Sequence, residues 1–407
     1  MTVPGDAGPR WALPRPLRRR DYAEPLLHVS VLSMPFTMPH AARTNRSRRS
    51  RPVASAFRAA PRALVTLITL AFASGTLATA LAAQWTSLPS TTTASLRGLS
   101  VVDGRTVWAS GTKGTVVRTT DGGATWAVHA VAGAEAFDLR SIHALNARDA
   151  VVASTNGRIY RTNDGGATWM LEYQASDTTV FLDAIDFWDG QHGMALGDPM
   201  QGRFFLLLTR DGGDTWHEPP LDQRPVASPG EAAFAASGSS LLLQGSADSM
   251  VAWIGTGGGA ARVHRSVAKG TSWIAYDTPI RQGGASEGIF SLAALPGGGF
   301  VAVGGHYAQN DSARANAAMS RDGVRWQLIT PRGPRGYRSG VAFARVNGAI
   351  VGIAVGPGGS DISRDAGVRW AAFDTAGYHA VRASPDGIFY ASGSGGRLAR
   401  FDARTPR

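Results

Sequence analysis

From residue 84 onward, apolar and β-branched residues arrive in short runs separated by clusters of Gly, Asp and other turn formers. Thr106-Val-Trp-Ala-Ser, Gly114-Thr-Val-Val-Arg118 and Trp126-Ala-Val-His are typical. Each run is too short for a helix and carries residues that suit a pleated surface. The pattern predicts an all-β chain of antiparallel strands joined by tight turns. One turn phrase returns six times, first as Thr119-Thr-Asp-Gly-Gly-Ala-Thr-Trp126 and then over 162–169, 209–216, 266–273, 320–326 and 363–370. The central positions 121, 164, 211, 268, 322 and 365 are 43, 47, 57, 54 and 43 residues apart. A period of that size marks a repeat architecture in which each unit buries its apolar face on the next.

The Asp-Gly-Gly core of the phrase is turn chemistry. Glycine accepts positive φ without steric cost, and a short carboxylate takes hydrogen bonds from backbone N–H groups two or so residues on. The closing Trp is a large apolar plug able to cover the joint between neighbouring sheets. The pattern Ser/Thr-x-Asp-x-Gly-x-Thr-Trp resembles the Asp-box of sialidases and related β-propellers. Three copies match in full, two are altered in the turn, and the fourth has Ala268 in place of the Asp. The resemblance implies a bracing role on outer turns, away from any ligand, for Asp121, Asp164, Asp211, Asp322 and Asp365. The same role is implied for Trp126, Trp169, Trp216, Trp273, Trp326 and Trp370.

The strand that opens each unit also aligns: Leu96-Arg-Gly-Leu, Leu139-Arg-Ser-Ile, Leu182-Asp-Ala-Ile, Glu231-Ala-Ala-Phe, Ile289-Phe-Ser-Leu, Tyr337-Arg-Ser-Gly and Tyr378-His-Ala-Val. There are seven openings for six boxes. The last unit, from Tyr378 to the C-terminus, lacks its outer strand, whereas Gln84-Trp-Thr-Ser-Leu88 looks like an outer strand with no box before it. Joining the two closes the ring and removes exposed sheet edges. The expected fold is a seven-bladed β-propeller of four-stranded blades over 84–407, closed by the N-terminal strand on the last blade, with six blades as the alternative.

Residues 1–83 stand apart. An apolar core, Ala63-Leu-Val-Thr-Leu-Ile-Thr-Leu-Ala-Phe-Ala73, follows seven arginines between Arg43 and Arg62, and Ala80-Leu-Ala82 fits the small-x-small rule for cleavage. The segment 38–83 reads as a signal peptide cut near Ala82, which predicts an exported, periplasmic or secreted protein. The Pro- and Arg-rich 1–37 reads as a disordered extension or a mis-assigned start. Twelve Arg against Asp6, Asp21 and Glu24 place nine of the eleven net positive charges in residues 1–83. The remainder is near neutral, so the basic pI gives no argument for nucleic-acid binding. The chain has no Cys, which excludes disulfides, thiolate metal sites and a Cys nucleophile.

Few motifs carry chemistry. Gly255-Thr-Gly-Gly-Gly-Ala260 has the look of a dinucleotide loop, yet the strand-like Arg262-Val-His-Arg-Ser follows it where that fingerprint needs a helix. The nine His, His264 and His306 among them, show no metal-ligand spacing, and no cofactor or metal is expected. The aligned inner strands are more suggestive. Their equivalent positions Arg97, Arg140, Asp183, Ala232 (beside Glu231), Phe290, Arg338 and His379 should converge at one mouth of the ring. Arginines from several blades could clamp a carboxylate or phosphate through forked hydrogen bonds, or the charges could pair with one another around a wet channel. As a site for a ligand or partner the reading is Arg97, Arg140, Arg338 and His379. Asp183, Glu231 and Tyr337 would be the catalytic set only if the mouth worked as a sialidase. Two loops exceed what a hairpin needs, 219–229 and 309–316.

The phrase Gly-x-x-Gly-x-Val/Ile-x-Arg-Thr-x-Asp-Gly-Gly-Ala-Thr-Trp, at 111–126 and, less its first Gly, at 156–169, is similar to exported Asp-box propellers grouped with the photosystem II stability/assembly factor. That resemblance implies a non-catalytic scaffold using an arginine patch to hold a protein partner in or at a membrane, or else an anionic ligand. The alternative is a sialidase-like glycoside hydrolase or glycan-binding protein. A monomer is expected, and an oxidoreductase finds no support.

Overall fold

The computed structural model describes residues 84–245, 249–267 and 269–405. The extension expected over 1–37, the signal peptide expected over 38–83 and the box position Ala268 lie outside those residues. The described chain is all-β apart from two three-residue 3-10 turns, Leu221–Gln223 and Ser394–Gly396.

Its strands form seven antiparallel sheets among the described residues. The first runs from the inner strand Leu96–Val101 through Val107–Gly111 and Thr115–Thr119 to Ala127–Ala130, and the second repeats this with Leu139–Ala144, Ala150–Ser154, Arg158–Thr162 and Met170–Gln174. The third has three strands, Leu182–Phe187, Gly193–Met200 and Arg203–Thr209. The long 219–229 loop lies along its outer edge, tied by bridges from Arg203 to Val226 and from Leu208 to His217. Inner strands of successive sheets pack against one another, and the seventh packs against the first, so the sheets close into a ring.

Closure happens at the seam that the sequence pointed to. Thr86–Ser87 pairs with Leu398–Asp402 and supplies the outer strand of the last sheet. The paired strand is two residues long, so side chains must carry much of the joint. Trp85 is buried among Phe373, Tyr378 and Phe401, with ring centroids 5.4, 5.5 and 6.4 Å away, and its Nε1–H donates to Ser360 Oγ at 3.1 Å.

The boxes fold as local turns. In the first, Thr125 donates its N–H to Asp121 Oδ1 (3.0 Å) and its hydroxyl to Oδ2 (2.6 Å), while Gly123 N–H donates to Thr119 Oγ1 at 3.0 Å. The Thr125 hydroxyl and N–H hold the Asp121 carboxyl well below the usual carboxylate range. Gly123 sits at φ 92°, and a Cβ there would lie 2.7 Å from Leu88 of the seam, so both backbone and space demand glycine. Trp216, Trp326 and Trp370 are buried, and each donates its indole N–H to the box glycine three residues back.

One strand expectation is corrected. Glu231-Ala-Ala-Phe does not open the fourth sheet; Leu241–Gln244 does, followed by Val251–Gly255, Arg262–Val267 and Ser272–Asp277. Glu231–Ala232 and Gly257–Gly258 instead pair with each other and extend the fifth sheet beyond its long inner strand Gly284–Ala294. The intervening residues 233–240 turn inward and fill the ring's centre. Ser237 Oγ donates to Ser339 O (2.6 Å), Ser239 Oγ to Ser291 Oγ (2.7 Å), and Arg382 Nη2 to Gly238 O (3.2 Å). Small side chains suit this path: a Cβ on Gly238 would meet Ser141 Oγ at 2.6 Å. The wet channel is therefore replaced by a plug.

Candidate functional site

One end of the ring holds a cavity of ≈ 500 Å³ with residues 232–236 of the plug in its lining. Side chains reach it by a shared device. The pairing register slips at Arg97 in the first sheet, Arg140 in the second, Asp183 in the third and Phe290 in the fifth, leaving each as the extra residue of a β-bulge. A bulge re-aims its side chain away from the sheet's alternation, and here all four line the one cavity. His379, from the segment opening the last sheet, joins them.

The remaining predicted positions lie differently. Arg338 is 2 % exposed and does not line the cavity; its Nε donates to Asp361 Oδ2 at 2.8 Å and its Nη1 to Tyr337 O at 2.9 Å. The preceding residue, Tyr337, faces the mouth instead and meets Phe290 edge-on at 4.8 Å. Glu231 is also buried outside the cavity, accepting hydrogen bonds from Thr256 Oγ1 (2.5 Å), Ser228 N–H (2.8 Å) and Arg262, with His264 Nε2 at 2.8 Å. Burial alone would raise its carboxyl, but His264, Arg262 and Thr256 outweigh that and hold it at about 2. The carboxyl that shares the cavity with Asp183 is Asp198, which sequence reasoning missed. Its signal was present in Gly197-Asp-Pro-Met, where a Pro ends an apolar run and the register slips again between Gly197 and Pro199.

Charge is segregated around the mouth. On the side of the first two sheets, Arg97 makes no hydrogen bond or ion pair among the described residues, and burial followed by repulsion from Arg140 lowers its pKa. Arg140 pairs with Asp138 at 3.2 Å and stands over the Phe181 ring at 5.9 Å, with its Nε buried and unpartnered. On the third sheet, Asp183 is 1 % exposed with Oδ2 unpartnered, while Asp198 Oδ1 accepts the Ala233 N–H at 3.2 Å. Burial, then the neighbouring Asp198, pushes the Asp183 carboxyl well up, and burial raises Asp198 too. His379 is pushed down to about 4 by burial and by Arg97 and Arg140, and its Nε2 lies 3.2 Å from Ser95 Oγ and 2.8 Å from Ser394 Oγ. The opposite wall is aromatic: Phe234 of the plug stacks on Phe290 at 3.9 Å, and Tyr307, 49 % exposed, stands at the rim. The box residues Asp121, Asp164, Asp211, Asp322 and Asp365 do not line this cavity. A larger groove, ≈ 860 Å³, runs along the seam beside Asp121 and Arg400.

Comparison with known proteins adds to the picture. Residues 77–170, which span the first two sheets, match the family model described as photosynthesis system II assembly factor YCF48. Two solved structures are similar over most of the chain. One is YCF48 bound to D1 peptide, with a TM-score of 0.53 and 16 % identity over 78 % of this chain and 94 % of that one. The other is YCF48 from Cyanidioschyzon merolae, with a TM-score of 0.53 and 15 % identity over 79 % and 100 %. No curated protein matches. The chain is thus a β-propeller similar to photosystem II assembly factors, and across the solved structures the likeness is one of fold.

Proposed function

We propose that this chain is an exported, non-catalytic propeller that binds a protein partner at the plugged mouth, through Arg97 and Arg140. The observation that carries the reading is Arg97, a half-buried guanidinium without a hydrogen-bonding partner among the described residues, beside a second arginine at an open cavity. A cation in that position gains from an incoming carboxylate or main-chain carbonyl what the fold does not supply. The similar propeller bound to D1 peptide supports a protein as the partner. The bulges that aim both arginines lie on rigid inner strands, so the surface is pre-formed.

The test is retention of a partner from the native envelope fraction by the purified protein and by an Arg97→Ala/Arg140→Ala variant. The wild type should retain a discrete partner and the variant should lose it by tenfold or more, with an unchanged melting temperature. A well-folded wild type that retains nothing would sink the reading. Arg338 has no place in the variant, because its buried pairing with Asp361 makes it a folding residue.

A second reading draws on one observation, the two carboxyls Asp183 and Asp198 in a cavity with Tyr337. That set suits a sialidase-like hydrolase of acidic glycans, with the raised carboxyl as proton donor. Release of sugar from sialosides, abolished by Asp183→Asn, would replace the scaffold reading with it.

A further inference from the structure

The mouth holds two unmet demands of opposite sign, and a single anion answers only one of them. Arg97 has no hydrogen-bonding partner among the described residues. Asp183 is buried with Oδ2 unpartnered, and a second carboxyl, Asp198, lines the same cavity. Asp183 Oδ2 is itself enclosed, so the carboxyl that a ligand meets is the less buried Asp198. The same cavity has an apolar wall, the stacked pair Phe234 and Phe290 with Tyr307 and Tyr337. Residues 232–236 of the plug line the cavity beside these groups.

Resting on the reading that this mouth is the binding site, we propose that it takes a dipolar ligand of the aromatic α-amino acid class. The carboxylate sits on Arg97 and Arg140, the ammonium on Asp198 with Asp183 behind it, and the ring lies against Phe234, Phe290 and Tyr307. A plain anion such as phosphate leaves the acidic pole at Asp198 unused, and a plain amine leaves Arg97 unmet. A flat apolar body uses the aromatic wall, which neither of those ions can do.

Calorimetric titration of the full chain with L-phenylalanine and L-tryptophan tests this. The comparison ligands are 3-phenylpropionate, which lacks the ammonium, 2-phenylethylamine, which lacks the carboxylate, and N-acetylneuraminate. The zwitterions should bind, and each one-ended analogue should be weaker by about tenfold or more. Arg97→Met should cost the zwitterion and 3-phenylpropionate alike, and Asp198→Asn should cost only ligands that carry an ammonium. Circular dichroism of each variant checks that it is folded. Equal binding of phenylalanine and 3-phenylpropionate overturns the acid pole. Tighter binding of N-acetylneuraminate assigns the site to sugar acids, and no heat with any compound overturns the proposal. If a protein partner is still captured through Arg97 while no amino acid binds, the scaffold reading stands and this one alone falls.

Discussion

At the scale of single residues, the cavity and its surroundings contain groups whose protonation is set by where the fold puts them. Asp183 is almost wholly buried, and its carboxyl is raised by burial and by Asp198. Because the folded value lies above the unfolded value of about 4, its contribution to stability is whole below that pH and is lost as pH climbs through the folded value. Asp183→Asn should therefore stabilise the protein at pH 8 by about 1–3 kcal/mol and have less effect near pH 4, read by denaturant titration at both. His379 runs the other way. It is held at about 4 by burial, Arg97 and Arg140, so it contributes stability above the unfolded value and loses it between about pH 6.5 and 4. A His379→Gln variant should lose that part of the acid sensitivity, seen as a flatter melting temperature over the same window. Arg338→Ala should cost about 3–5 kcal/mol, since it leaves the buried Asp361 carboxylate with only the N–H and the largely exposed guanidinium of Arg335.

At the scale of elements, what could be read from sequence was what is decided locally. The box is a turn whose hydrogen bonds run within five residues, so Asp121, Thr125 and Gly123 announce it unaided. Inner strands at Leu96, Leu139 and Leu182 were legible because each begins an apolar run a similar distance before its box Asp, 25 residues in the first two and 29 in the third. The plug was not legible. Residues 233–240 are mostly Ala and Ser, carry no period, and find their partners at Ser291, Ser339 and Arg382 in three other sheets. Arg338 was placed at the mouth by counting along an aligned strand, but Asp361 draws it into the sixth sheet and Tyr337 takes the inward place. Bulges, which aim Arg97 and Arg140, follow from pairing geometry and leave no mark in a single strand's composition. Within a box, the Trp carries more stability than the carboxylate. Trp216 is buried against Phe187 at 5.9 Å, so Trp216→Ala should cost about 3–5 kcal/mol by chemical denaturation, with Asp211→Asn costing less.

At the scale of the whole molecule, the first and last sheets pack through Leu96, Leu99, Ala380, Ile388 and Tyr390, and one short strand and one indole lock that joint from outside. Trp85→Ala removes the side chain packed among Phe373, Tyr378 and Phe401 and leaves Ser360 Oγ without its donor. The expected cost is about 3–5 kcal/mol, with hydrogen exchange rising first in Leu398–Asp402. If exchange there stayed as slow as in the sheets far from the seam, closure would have to rest on some other contact.

The seam also has a history written into it. Gln84 N–H and Trp85 N–H both donate to Asp374 Oδ2, which lies 290 and 289 residues further along the chain. During synthesis the piece that seals the ring leaves the ribosome before any of the sheets, and the strand it pairs with is among the last to appear. Until the last sheet is made Trp85 has no pocket, and the growing ring has an unfinished edge. A message truncated anywhere before the codon for Leu398 lacks the strand that Thr86–Ser87 pairs with, and yields an open arc whose first strand has no partner.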